Sequence, residues 1–181
     1  MNLTTVENVK GYLGISVASD DALLDRLVSS ASAYIQSWLN RSFALTTYTD
    51  TFDGMGFNSR MVSNYPITAV TSVLVDTQAI PLAPNTLASG YAFAERKVVL
   101  RGYTFNSGVL NCSVTYTAGY ASVPPEIGQA CIEIVANRYR EKDRIGLTSK
   151  GLAGETIAYS QKDFPDSVRT ILNNYKKVVP I

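Results

Sequence analysis

The sequence contains no histidine. That single absence removes the Ser-His-Asp and Cys-His catalytic arrangements and every His-ligated metal motif. Cysteine is nearly missing too. Cys112 and Cys131 stand alone, far apart, and match no zinc or redox spacing. Both read as buried thiols, since free cysteine packs as a small hydrophobe. Charge is sparse: 17% of residues are charged, against about 25% in ordinary soluble domains, and the net charge is only +1. The total therefore gives no reason to expect a nucleic-acid or anionic-membrane binder. No apolar stretch approaches the ~20 residues of a membrane span. No signal peptide opens the chain, and the expected site of synthesis and folding is a reducing cytoplasm.

Apolar residues make up 46% of the 181, with 11 tyrosines. That is enough for one domain with a packed core, or one domain carrying an insert. The hydrophobic period changes twice along the chain. Thr4-x-x-Glu7 predicts a capped helix start, followed by Val6, Val9, Tyr12 and Leu13 at helical spacing. Gly11 and Gly14 make that helix short. Ser19, Asp20 and Asp21 predict a second helix start. The stripe behind them, Leu23, Leu24, Leu27, Val28, Ala31, Ile35, Trp38 and Leu39, runs for about five turns, roughly 28 Å.

From residue 43 to 121 the period becomes two. Strands are expected at Phe43–Phe52, at Arg60–Ser63, at Ile67–Asp76 and around Tyr91–Phe93 and Lys97–Leu100. A last one runs from Val109 to Thr117, with Leu110, Cys112, Val114 and Tyr116 on one face. Asp53-Gly54-Met55-Gly56 is a turn signal, and Pro81–Gly90 reads as loose connection. Helix returns at Pro124-Pro125, with Ile127, Ala130, Cys131, Ile134 and Val135 as its apolar face. Gly128 costs about 1 kcal/mol inside a helix and suggests close packing. A flexible segment is expected from Gly146 to Glu155. Val168, Ile171, Leu172 and Tyr175 then mark a final helix. The prediction is an α+β protein: a bundle of three to four helices with an antiparallel β-rich insert between the second and third. The divisions fall at residues 1–42, 43–121 and 122–181.

No constellation of catalytic side chains emerges. Asp20 and Asp21 read as helix-start charges, and Asp50 and Asp53 as turn formers. Lys150 lies between Gly146 and Gly154, but the order of a phosphate loop is absent. The run Arg138–Arg144 mixes signs, and Arg140 and Asp143 are spaced to pair on a helix surface. Charge is uneven, however. Residues 1–137 carry 7 Lys/Arg and 10 Asp/Glu, a net of −3. Residues 138–181 carry 9 and 5, a net of +4. Two ends that meet different partners would suit this polarity, and so would solvated helix ends. No catalytic residue, metal ligand or cofactor is predicted.

The order of these pieces carries a resemblance. The opening Leu3-Thr4-Thr5-Val6-Glu7-Asn8-Val9-Lys10-Gly11-Tyr12-Leu13-Gly14 resembles that of the head–tail connector (adaptor, neck) proteins of tailed bacteriophages. So do Asp20-Asp21-Ala22-Leu23-Leu24 and Ala33-Tyr34-Ile35-Gln36-Ser37-Trp38-Leu39-Asn40-Arg41-Ser42-Phe43. Val114–Tyr120 with Val123-Pro124, then Arg138–Gly146 and Ser149–Glu155, are similar to the later signatures of the longer members. The substantial β-rich insert is a departure from the shortest members, which are almost wholly helical.

The resemblance implies a structural protein that forms a ring of about twelve copies under the portal protein. Such a ring extends the DNA channel and offers a platform to the next neck protein, a stopper or tail-completion protein. It implies a virion protein assembled in the host cytoplasm, passing genomic DNA without sequence-specific binding and without a membrane. By position, it implies portal contact for Arg144, Lys150, Leu152, Tyr175, Lys176, Lys177, Val178, Val179 and Ile181. Contact between subunits is expected for Tyr34, Trp38, Arg138 and Tyr139, since a ring needs complementary faces and tyrosine and tryptophan suit them. Two other readings stay open at this point. A nucleic-acid-binding module using the basic C-terminal third would show steeply salt-dependent DNA affinity. An enzyme with a carboxylate or lysine site assembled by the fold would show turnover.

Overall fold

The computed structural model describes residues 1–85, 87–142, 149–152, 155–158 and 165–176. Two helices come first, α1 (Val6–Leu13) and α2 (Asp21–Leu39). Seven strands follow: β1 (Thr46–Gly54), β2 (Ser59–Met61), β3 (Ile67–Val75), β4 (Gln78–Ala79), β5 (Gly90–Phe93), β6 (Lys97–Arg101) and β7 (Gly108–Ala118). Then come α3 (Pro125–Arg140), β8 (Ser149–Leu152), β9 (Glu155–Ala158) and α4 (Asp166–Tyr175). The fold is α+β, with four helices and antiparallel sheets among the described residues. It divides into two compact units. One joins Met1–Arg41 to the described residues from Val123 onward, and the other is Ser42–Ser122.

In the helical unit, α3 packs on α1, α2 and α4, and α2 packs on α1 and α4. Leu24, Val28, Ala31, Ser32, Ile35 and Leu39 are the buried stripe of α2. Ile127, Ala130, Cys131, Ile134 and Val135 answer from α3, and Val168 and Leu172 from α4. Two cap predictions need correction. The cap of α1 is Thr5, whose Oγ1 accepts the Asn8 N–H at 3.3 Å. Thr4 is turned inward and buried, so its hydroxyl does not serve the helix end, and Glu7 supplies first-turn charge without closing a capping box. Asp20 occupies the cap position of α2 but makes no capping hydrogen bond, because its carboxylate is used elsewhere. The helix ends follow the sequence signals more closely. Gly14 closes α1 at φ 72° and Asn40 closes α2 at φ 51°, both left-handed.

Residues ahead of α1 lie along α2. Gln36 Nε2 donates to the Met1 carbonyl at 3.1 Å, and the Leu3 N–H donates to Ser32 Oγ at 2.9 Å. Ser32 Oγ also lies 3.6 Å from Cys131 Sγ, and burial pushes that thiol's pKa up, which keeps it an inert packing group. Opposite this segment, a Cβ built on Gly128 would sit 3.5 Å from the Leu3 carbonyl oxygen, an ordinary contact. Packing therefore does not require glycine there. We expect Gly128→Ala to raise stability by about 0.5–1 kcal/mol in urea unfolding, because alanine costs less backbone entropy in a helix.

The strand-rich unit holds a four-stranded sheet in the order β1-β7-β3-β4 and a three-stranded one in the order β2-β6-β5. Its core combines Cys112, Val114, Tyr116 and Ala118 of β7 with Val73 and Val75 of β3, Val98 and Leu100 of β6, and Tyr91 and Phe105. The opposite face of the β1–β7 pair is hydroxylated, and Thr47–Thr117 and Thr49–Thr115 meet at 3.3 and 3.1 Å between their Oγ1 atoms. Three strand predictions shift. Phe43 is not part of β1; it is a fully buried anchor packed against Tyr120, with ring centroids 5.9 Å apart. The expected return strand is Ser59–Met61, and it pairs with β6 instead of folding back on β1. The stretch predicted as a flexible segment, Gly146–Glu155, contains β8 and the first residue of β9, and the two strands pair from Ser149↔Ala158 to Leu152↔Glu155.

Tyr116 is fully buried, yet its hydroxyl is satisfied: it donates to Asp50 Oδ2 at 3.0 Å and accepts the Asn64 N–H at 3.0 Å. Burial, with a further contribution from the Asp50 carboxylate, pushes its pKa up to about 12. An unfolded tyrosine ionises near pH 10. Stability from this group is thus fully present below about pH 10 and is lost as pH rises toward 12. Tyr116→Phe should flatten that alkaline decline. An unfolding series on both proteins between pH 9 and 12, read by far-UV circular dichroism, checks it.

Candidate partner-binding surface

The helical unit gathers most of the described sequence candidates around one side of α2. Ser30, Tyr34 and Trp38 recur every four residues, so they line one stripe. Arg138 of α3 reaches this stripe: Nη1 donates to Ser30 Oγ at 3.4 Å, and its guanidinium carbon lies 5.3 Å from the Tyr34 ring centroid. At the other end, Lys176 Nζ lies 5.2 Å from the Trp38 ring centroid. Tyr175 is fixed twice. Its carbonyl accepts from Arg41 Nη1 at 3.3 Å, and its hydroxyl donates to Glu126 Oε2 at 3.1 Å. Tyr34, Trp38, Arg138 and Tyr175 are half-buried, and Lys176 is exposed. The surface is therefore built of aromatic rings held by cations. Each such contact is worth about 0.5–1 kcal/mol where water reaches it.

Tyr139 is not part of this stripe. Its hydroxyl donates to Asp20 Oδ2 at the start of α2, and Lys142 closes the group, with Nζ 3.6 Å from the same carboxylate oxygen and 4.3 Å from the Tyr139 ring centroid. The Tyr139 hydrogen bond, then the Lys142 charge, hold the Asp20 carboxyl below its usual range. The same hydrogen bond pushes the Tyr139 phenol up. This cluster locks the start of α2 to the end of α3. Lys150 and Leu152 lie on β8, in register with Ile157 and Glu155. Arg144, Lys177, Val178, Val179 and Ile181 lie outside the described residues, as does Asp143, the proposed partner of Arg140.

A second surface was not legible in the sequence. Met55, Phe57, Val109 and Leu110 are large apolar side chains that are 61, 66, 83 and 66% exposed. The predicted strand put Leu110 on the inner face with Cys112. The structure places it outside, because the β1–β7 register jumps from Phe52↔Cys112 to Gly54↔Gly108. The extra residues form a bulge in which Leu110 adopts φ 48°. Asp53-Gly54 and Asn106-Ser107-Gly108 are turn signals that mark this end of the sheet. Nothing in the local sequence says that the apolar residues beside them stay exposed.

The fold of this chain is shared with chains of gene transfer agent particles. The neck of a native gene transfer agent particle, computed with C12 symmetry, matches with a TM-score of 0.57 at 17% identity, covering 97% of this chain and 90% of that one. The neck of an empty gene transfer agent particle, computed with C6 symmetry, matches with a TM-score of 0.54 at 17% identity over 92% and 84%. The virion of a native gene transfer agent particle gives 0.54 at 18% over 93% and 85%. The chain belongs to the head completion protein family, whose model matches residues 2–178. The expected membership among head–tail connector proteins is borne out at that level. No curated protein sequence matches it. No described helix is long and apolar enough to cross a membrane.

Proposed function

We propose that this chain is a non-enzymatic head–tail connector of a tailed bacteriophage or phage-like particle. It forms a ring of about twelve copies beneath the portal protein, carries the DNA channel onward and receives the next neck protein. The family match over residues 2–178 carries this reading. The C12 symmetry of a neck with the same fold supports the copy number. In this reading the four helices complete one bundle and Ser42–Ser122 is its insert. Tyr34, Trp38 and Arg138 face the neighbouring copy. Tyr139, in its own cluster with Asp20, is a further contact with that copy. Arg144, Lys150, Leu152, Tyr175, Lys176, Lys177, Val178, Val179 and Ile181 approach the portal. The protein is assembled into the virion in the host cytoplasm.

The basic C-terminal third does not favour a nucleic-acid module. Among the described residues, Arg138, Lys142 and Lys176 are engaged with Tyr34, Asp20 and Trp38 and do not form a clean basic stripe. A channel that lets DNA slide needs weak, unspecific contact. Particles made without this chain test the role. DNA-filled heads lacking tails, converted to tailed particles by adding the purified protein, are the expected result. Normally tailed particles in its absence would overturn it.

A further inference from the structure

The bulge at the start of β7 is a built feature. Leu110 is a non-glycine residue in the left-handed region, where the backbone costs about 1–3 kcal/mol unless its surroundings enforce it. Here they do. The Leu110 N–H donates to Asp53 Oδ1 at 2.6 Å. The Asn111 side chain accepts the Gly54 N–H at 2.9 Å and donates to Asp76 Oδ1 at 2.8 Å and to the Asn106 carbonyl at 2.9 Å. Asn106 Nδ2 also donates to Asp76 at 2.9 Å. Across the tip, the Gly56 N–H donates to the Phe105 carbonyl at 2.7 Å and the Phe105 N–H to the Phe57 carbonyl at 2.8 Å. This network fixes a strained backbone and leaves Met55, Phe57, Val109 and Leu110 in water at one end of the sheet.

The charges around the tip are already used. Asp53 and Asp76 accept the bonds just given, and the Arg60 guanidinium lies 4.8 Å from the Phe52 ring centroid. An apolar partner surface fits such a tip, and an anionic lipid surface, which rewards free basic residues, does not. The four side chains expose on the order of 500 Å², a size often functional on a monomer. That is below the ~800 Å² per partner of a stable one-to-one interface. One tip alone would bind weakly. Two copies meeting through one tip would share that weakness. Two coaxial rings would engage every tip at once, and effective concentration then makes weak contacts strong.

We propose that the Met55–Phe57–Val109–Leu110 tip is the surface by which each copy docks on the ring of the next neck protein, one shallow apolar pocket per copy. This rests on the connector reading, in which Tyr175, Lys176 and the residues after them approach the portal and the tip is left for the second ring. The test uses portal-bearing heads of the same virus that lack this chain, with purified tails added afterwards. Wild-type protein should co-sediment with the heads and make them competent for tails. The variant V109D/L110D should co-sediment equally, while tailed particles fall about tenfold or more. Leu110→Gly relieves the backbone strain, so its melting temperature should hold or rise while tail joining falls.

Tail joining at the wild-type level by both variants would overturn the proposal. So would loss of head binding, which would make the tip a portal or copy-to-copy contact. Flotation of wild-type protein with phosphatidylglycerol vesicles would overturn it in favour of a membrane. Failure of the wild-type protein itself to bind heads would instead sink the connector reading.

Discussion

Gly119→Ala is expected to destabilise the strand-rich unit by about 3–5 kcal/mol, a large share of the ~5–15 kcal/mol that holds a domain together. Gly119 has φ 122°, and a Cβ there would lie 2.3 Å from the Ala44 carbonyl oxygen and 2.7 Å from its carbon. Both are backbone atoms, so no side chain can swing away. Nor can the backbone shift easily. The Gly119 N–H donates to the Pro66 carbonyl at 3.0 Å, and the Tyr120 N–H to the Phe43 carbonyl at 3.1 Å. Backbone strain of about 1–3 kcal/mol and overpacking of about 1–3 kcal/mol both apply. Urea unfolding followed by circular dichroism measures the loss. A variant within about 1 kcal/mol of wild type would show that this junction is looser than described.

Ile35→Ala and Trp38→Ala should separate folding from assembly. Ile35 is fully buried on the inner stripe of α2, the helix packed against α1, α3 and α4. Truncation there removes transfer energy and leaves a cavity, a loss of about 2–5 kcal/mol. Trp38 is three residues on, half-buried on the outer stripe beneath Lys176. Its removal should cost the isolated chain less than about 2 kcal/mol. If Trp38 is an anchor between copies, the same change should weaken ring formation far more than folding. Thermal unfolding and particle imaging on both variants give the four numbers needed. Equal losses of stability would place Trp38 in the core and remove it from the copy-to-copy surface.

Periodicity made much of the fold legible. The α2 stripe and the return of helix at Pro125 sit where their apolar spacing puts them, because a buried face imposes a period on any helix. The local sequence failed where a side chain had two possible uses. Thr4 and Thr5 are both competent caps, and the inward packing of Thr4 decides between them. Asp20 is a good cap that serves Tyr139 instead, a residue 119 positions away. Leu110 keeps the strand alternation on paper, and the register jump opposite Phe52 reverses its side. Of the site, the aromatic and basic residue types were visible, but their pairing as Tyr34–Arg138 and Trp38–Lys176 depends on tertiary packing. The exposed tip was invisible for the same reason.

The central claim is that copies of this chain close into a ring on the portal. Electron microscopy of the purified protein mixed with the portal of the same virus tests it most directly. An added ring of density at the narrow end of the portal, with twelvefold or compatible symmetry, is the predicted result. A bare portal, at concentrations where each protein alone is folded and soluble, would contradict the account.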